Sequence, residues 1–187
     1  MSIQEIVNNI HPLPELSMDK LDALIDEVTF PKGHLLFSAN KIEHDIFFIK
    51  SGLVRAYTAT NEGAVTFWFG IEGDAVFSVK NYLLSERSYE NIELLEPGEL
   101  YQLDSRQLKA LYDQDIFIAN WGRKLIELEF LRSERRLISM QFRTAAERYE
   151  ELMDTNAHLL NRVPLGYIAS YLGIAQVSLS RIRGAKR

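Results

Sequence analysis

Two periodicities divide this chain, and the change from one to the other limits what it can fold into. Between Phe30 and Asp104, short runs rich in Phe, Val, Ile and Tyr fall at 35–37, 46–50, 53–59, 64–69, 75–77, 92–95 and 100–103. Glycine-bearing turn signals separate them at 31–33, 51–52, 61–63, 72–74 and 96–98. Short strands at such regular spacing predict a small antiparallel barrel. After Asp104 the helical period takes over and holds to the end. Residues 2–28 also read as helical, with a turn at 11–14 and a restart capped by Ser17, after which Leu21, Leu24, Ile25 and Val28 form one stripe.

The last segment, Pro164 to Arg183, predicts two short helices hinged at Gly173, the pattern of a helix-turn-helix whose second helix enters the DNA major groove. Leu165, Ile168, Ala169 and Leu172 share one arc of the first helix, and Leu179 and Ile182 face them from the second. Gln176, Val177 and Arg181 fall on the outward arc at the start of the second helix and one turn later. They are the expected base-reading residues: Gln suits adenine, Arg suits guanine and Val suits a thymine methyl. Ser178, Ser180, Arg183, Lys186 and Arg187 are the expected phosphate contacts. Ala175 is a weaker helix cap than Ser or Thr by about 1 kcal/mol.

Charge separates the same two halves. Before Gln114 the chain has nine Lys/Arg against eighteen Asp/Glu; from Gln114 onward it has twelve against eight, and the two balances, −9 and +4, give the net −5. No Asp or Glu occurs after Asp154. An acidic body with a basic end is the footprint of one module meeting phosphates. Zero cysteines exclude disulfides, thiolate metal sites and thiol redox sensing. No run of about 18 apolar residues is available to span a membrane and the N-terminus lacks a signal-peptide pattern, so a cytoplasmic location is expected.

From about Ile116 to Phe142 no proline occurs. Leu125, Ile126, Leu128, Phe130 and Leu131 surround the helix instead of lining one stripe. A helix apolar on most sides is buried on most sides. Packing within its own domain satisfies this. So does a helix with one face on the barrel and another on a second copy, which makes Leu125, Leu128 and Leu131 the expected dimer seam. A capping box, Thr144 to Glu147, opens a further helix to about Met153.

Barrel, long helix and helix-turn-helix in this order resemble the Crp/Fnr family of bacterial transcription regulators. The resemblance covers nearly the whole chain. It is carried by Phe30 to Gly33 with Leu36 and Phe37, by the string Asp45 to Arg55, by Glu72 to Asp74, and by Ile168 to Gly173 with Leu179 to Ile182. It implies an α+β chain: an N-terminal cyclic-nucleotide-binding-like jelly roll at 1–113, a long connecting dimer helix at 114–143 and an all-α helix-turn-helix domain at 144–187. It also implies a homodimer that binds double-stranded DNA, with RNA polymerase as a further partner. Members that bind cyclic AMP carry a Gly-Glu pair and then an Arg followed by Ser or Thr and Ala. Here Phe77 and Ser78 occupy the first pair, and Arg87 and Ser88 match the second motif with Tyr89 in place of the Ala. Arg87 and Ser88 are therefore the expected effector contacts, for an effector other than cyclic AMP.

Two other readings stay open. The chain is also compatible with a ligand-sensing or protein-interaction module whose helix-turn-helix no longer binds DNA, or with a cupin-like metalloenzyme. The four histidines, His11, His34, His44 and His158, form no His-x-His pair, and no set of nucleophile, base and orienting group is present. No enzyme activity, metal or cofactor is expected.

Overall fold

The computed structural model describes residues 1–61 and 63–184. Two units divide the chain: Met1–Ala56 with Phe69–Glu129, and Tyr57–Trp68 with Phe130–Arg187.

The first unit opens with α1 (Ile3–Ile10) and α2 (Glu15–Asp22). A capping box starts α1: the Glu5 amide donates to Ser2 Oγ, and the Glu5 carboxylate accepts from the Ser2 amide at 2.7 Å. The helix expected to continue to Val28 ends at Asp22, and Ile25–Phe30 forms β1. The stripe Leu21, Leu24, Ile25 and Val28 suits a helix, but six residues of β1 pair antiparallel with the last strand, from Ile25 opposite Leu103 to Phe30 opposite Gly98. That long-range ladder outweighs local spacing. Ser17, expected to cap α2, instead lies inside it, buried, with its hydroxyl donating to Asp115.

Seven further strands follow the order the sequence predicts: β2 (Leu35–Phe37), β3 (Asp45–Ser51), β4 (Val54–Thr60), β5 (Gly63–Gly70), β6 (Ala75–Val76), β7 (Asn91–Leu94) and β8 (Gly98–Asp104). They make two four-stranded sheets, β1-β8-β3-β6 and β2-β7-β4-β5, in the manner of a jelly roll. Between β6 and β7 lies a helix the sequence reading omits, α3 (Val79–Leu84), capped by Ser78.

After β8 come α4 (Ser105–Tyr112) and the 27-residue α5 (Ile116–Phe142). Ile118, Trp121 and Leu125 of α5 join Ile6 and Val7 of α1, Leu21, and Phe48 and Leu103 of the first sheet in one core. Trp121 is fully buried, and its indole N–H donates to the Val7 carbonyl at 3.1 Å. Asp115 anchors the start of α5 by accepting from the Phe117 amide at 3.1 Å.

The second unit contains the C-terminal half of α5, then α6 (Ala145–Asn156), α7 (Leu159–Arg162), α8 (Leu165–Tyr171) and α9 (Gln176–Gly184), together with the tip of the β4–β5 hairpin. The predicted capping box at Thr144 and Glu147 starts α6.

Candidate nucleic-acid interface

Between α8 and α9 the chain makes a Schellman turn. Gly173 adopts φ +67°, its amide donates to the Ser170 carbonyl, and the Ile174 amide donates to the Ala169 carbonyl, both at 3.0 Å. A glycine is needed there because the left-handed conformation is cheap only without a Cβ. Ile168 and Ala169 of α8, Leu172 at its C-cap and Leu179 of α9 are buried. The sequence-predicted hinge is thus the turn of the folded helix pair, while Leu165 and Ile182 of the predicted arcs are half-buried.

Burial of Leu179 fixes the rotation of α9 and so decides what faces solvent. Gln176, Val177, Ser180 and Arg181 are exposed, Val177 by 63%, while Ser178 and Arg183 are half-buried. The three expected base-reading residues therefore share one solvent-facing arc. The Ser180 hydroxyl donates back to the Gln176 carbonyl at 3.1 Å. Lys186 and Arg187 lie outside the described residues.

Three side chains that the sequence reading passes over hold this pair in place. Ser170, on the outer side of α8, accepts from the Thr66 amide at 2.9 Å and donates to the Ala64 carbonyl at 3.2 Å, which ties the hairpin tip to α8. Arg136 of α5 donates to the Tyr171 carbonyl and stacks 3.9 Å from the centroid of the Tyr171 ring. Arg148 of α6 donates through Nε to the Leu172 carbonyl at 3.0 Å. The last carbonyls of α8, which lack helical partners, are thus satisfied by two guanidiniums. Burial, with the nearby Arg148 charge as a lesser cause, holds the Arg136 pKa below its ordinary value.

In the first unit, Arg87 is exposed and Ser88 is buried. The Ser88 hydroxyl donates to the Ser38 carbonyl at 3.0 Å, and its amide donates to the Lys41 carbonyl. Asn81, also buried, donates to the carbonyls of Lys41 (3.2 Å) and Glu86 (2.5 Å) and accepts from the Glu43 amide. The region of the expected effector contacts is therefore cross-linked by its own hydrogen bonds. Tyr89 is 59% exposed and does not crowd the interior. Nearby, buried Arg55 of β4 and half-buried Glu93 of β7 form an ion pair at 3.1 Å.

Along α5 the three expected seam residues separate. Leu125 is 2% exposed and belongs to the core with Trp121, whereas Leu128 is half-buried and Leu131 is 39% exposed. Phe130, Ile138 and Phe142 are also exposed in the single chain.

Residues 27–115 match the cyclic nucleotide-binding domain family. FixK2 from Bradyrhizobium japonicum is similar over 86% of this chain and 83% of its own, with a TM-score of 0.75 and 16% identity. A protein from Eubacterium rectale described as a Crp/Fnr-family transcriptional regulator aligns over 93% of this chain and 85% of its own, with a TM-score of 0.73 and 17% identity. The catabolite activator protein of Thermus thermophilus covers 94% and 84%, with a TM-score of 0.59 and 18% identity. No curated protein matches the sequence. Fold and site define a cyclic nucleotide-binding domain joined by a long helix to a helix-turn-helix. The chain shares the fold of these solved structures, in line with the resemblance that its sequence motifs carry.

Proposed function

We propose that this protein is a homodimeric, cytoplasmic transcription regulator that binds specific DNA through α9 and has no enzymatic role. The observation that carries the reading is the exposed arc of Gln176, Val177 and Arg181 on a helix whose rotation is fixed by buried Leu179, at the end of a chain with no acid after Asp154. Gln176, Val177 and Arg181 read bases, while Ser178, Ser180, Arg183, Lys186 and Arg187 meet phosphates. Leu128 and Leu131 line the dimer seam, and RNA polymerase is the partner of the bound dimer. Among the described residues no helix is long and apolar enough to cross a membrane, and no three His, Cys, Asp or Glu side chains are grouped to hold a metal.

Selection of binding sites from random duplexes, followed by titration of the selected site, tests this. Arg181→Ala is expected to cost about 1 to 3 kcal/mol and to relax preference at one base pair per half-site. Lys186→Ala is expected to weaken all sequences alike and to lower the salt slope by about one. Failure to enrich any sequence would favour the interaction-module reading.

For the sensor, Arg87 and Ser88 remain the contacts we assign to an effector other than cyclic AMP. Phe77 and Ser78 offer no carboxylate for a ribose hydroxyl. Each missing charge-assisted bond costs about 1.5 to 3 kcal/mol, so cyclic AMP is expected to bind at about millimolar or weaker. Calorimetric titration checks this, and saturable low-micromolar binding would overturn it.

A further inference from the structure

Within the helical unit, a cleft of about 170 Å³ opens between the C-terminal half of α5, α6 and the end of α8. Four guanidiniums line it, those of Arg132, Arg135, Arg136 and Arg148. Glu151 is the only acid among the lining residues, and its carboxylate already accepts from Ser139 Oγ at 2.7 Å and pairs with Arg143 at 2.9 Å. The described hydrogen bonds of Arg136 and Arg148 go to neutral backbone carbonyls. Carbonyl oxygens satisfy the N–H groups without supplying a full counter-charge, Glu151 is one carboxylate beside four guanidiniums, and like charges gathered in a partly desolvated cleft repel.

We propose that this cleft binds a small multivalent phosphate-bearing anion. Guanidinium forks match phosphate oxygens in a bidentate fashion, and several of them around one concavity suit a ligand carrying more than one negative charge. The volume corresponds to about five or six waters, the scale of a pyrophosphate group. Thr155 and Asn156 add uncharged polar groups to the wall.

Its position gives the site a consequence, which rests on the DNA-binding reading above. The carbonyls held by Arg136 and Arg148 belong to Tyr171 and Leu172, immediately before the Gly173 turn that sets the angle of α9. An anion drawing those guanidiniums towards itself competes with the carbonyls and loosens the turn.

Calorimetric titration of the full chain with sodium pyrophosphate is the test, with orthophosphate and sulfate as comparison arms and DNA binding measured on the same preparation. Saturable pyrophosphate binding at about 10 to 100 μM is expected, with each monomeric anion about tenfold weaker or more. Arg132→Gln and Arg135→Gln, both at exposed positions, are expected to weaken pyrophosphate at least about threefold while leaving thermal melting unchanged. Absence of saturable heat, or unchanged affinity in both variants, would overturn the proposal. DNA binding without pyrophosphate binding would remove this site alone. Pyrophosphate binding without DNA binding would remove the regulator reading and leave the site.

Discussion

Gly122 leaves no room for a side chain. A Cβ there would overlap the hydroxyl of Tyr112, which itself lies 3.0 Å from the Tyr82 hydroxyl. Replacing a mid-helix glycine by alanine ordinarily gains about 1 kcal/mol, but overpacking of this severity costs about 1 to 3 kcal/mol or more. Gly122→Ala is therefore expected to lower stability in urea denaturation, and Tyr112→Ala in the same chain is expected to recover part of the loss, a coupling that a double-mutant cycle reads directly. Asp115 gives the first unit a pH dependence. The hydrogen bond from Lys20 at 2.8 Å, and then those from Ser17 and two α5 amides, hold its carboxyl below the usual range against the opposing effect of burial. Because the folded pKa is the lower one, the stabilisation is present above about pH 4 and fades as pH falls below it. Asp115→Asn is expected to flatten that part of the acid limb, as followed by circular dichroism.

At the level of elements, the Gly173 turn is the joint on which α9 depends. A Cβ there would meet the Met140 Cε at 2.7 Å in addition to adopting φ +67°. Gly173→Ala is expected to cost about 1 to 2 kcal/mol, with faster amide exchange in α8 and α9 and intact protection in the barrel strands. This turn was legible in the sequence because its physics is local: a glycine between two apolar arcs of helical spacing. Most strands were legible for the same reason, each bounded by its own turn residues. β1 was not, because Leu21, Leu24, Ile25 and Val28 fit a helix, and only pairing with β8, far along the chain, makes 25–30 a strand. The arginine cleft was equally hidden. Nothing in the spacing of Arg132, Arg135 and Arg136 along α5 marks a site until α6 and α8 bring Arg148 and Tyr171 beside them.

For the molecule as a whole, the apolar surface left on α5 is where the proposed second copy would pack. Phe130 and Phe142 are 70% and 78% exposed, and Leu131 and Ile138 lie within four residues of them along the helix. Exposed apolar stretches of this kind mark association surfaces. Leu131→Glu with Ile138→Glu is expected to give folded monomers in sedimentation experiments, whereas Leu125→Glu is expected to unfold the first unit, because Leu125 is buried in its own core. A two-fold dimer in turn requires half-sites about one helical turn apart. The claim on which the account rests is that the exposed arc of α9 reads sequence. Its most direct test is fluorescence anisotropy of a selected duplex against a scrambled one across a range of salt. The account predicts affinity for the selected duplex at least about a thousandfold tighter, with a logarithm that falls linearly with the logarithm of salt; equal affinity for the two duplexes would contradict it.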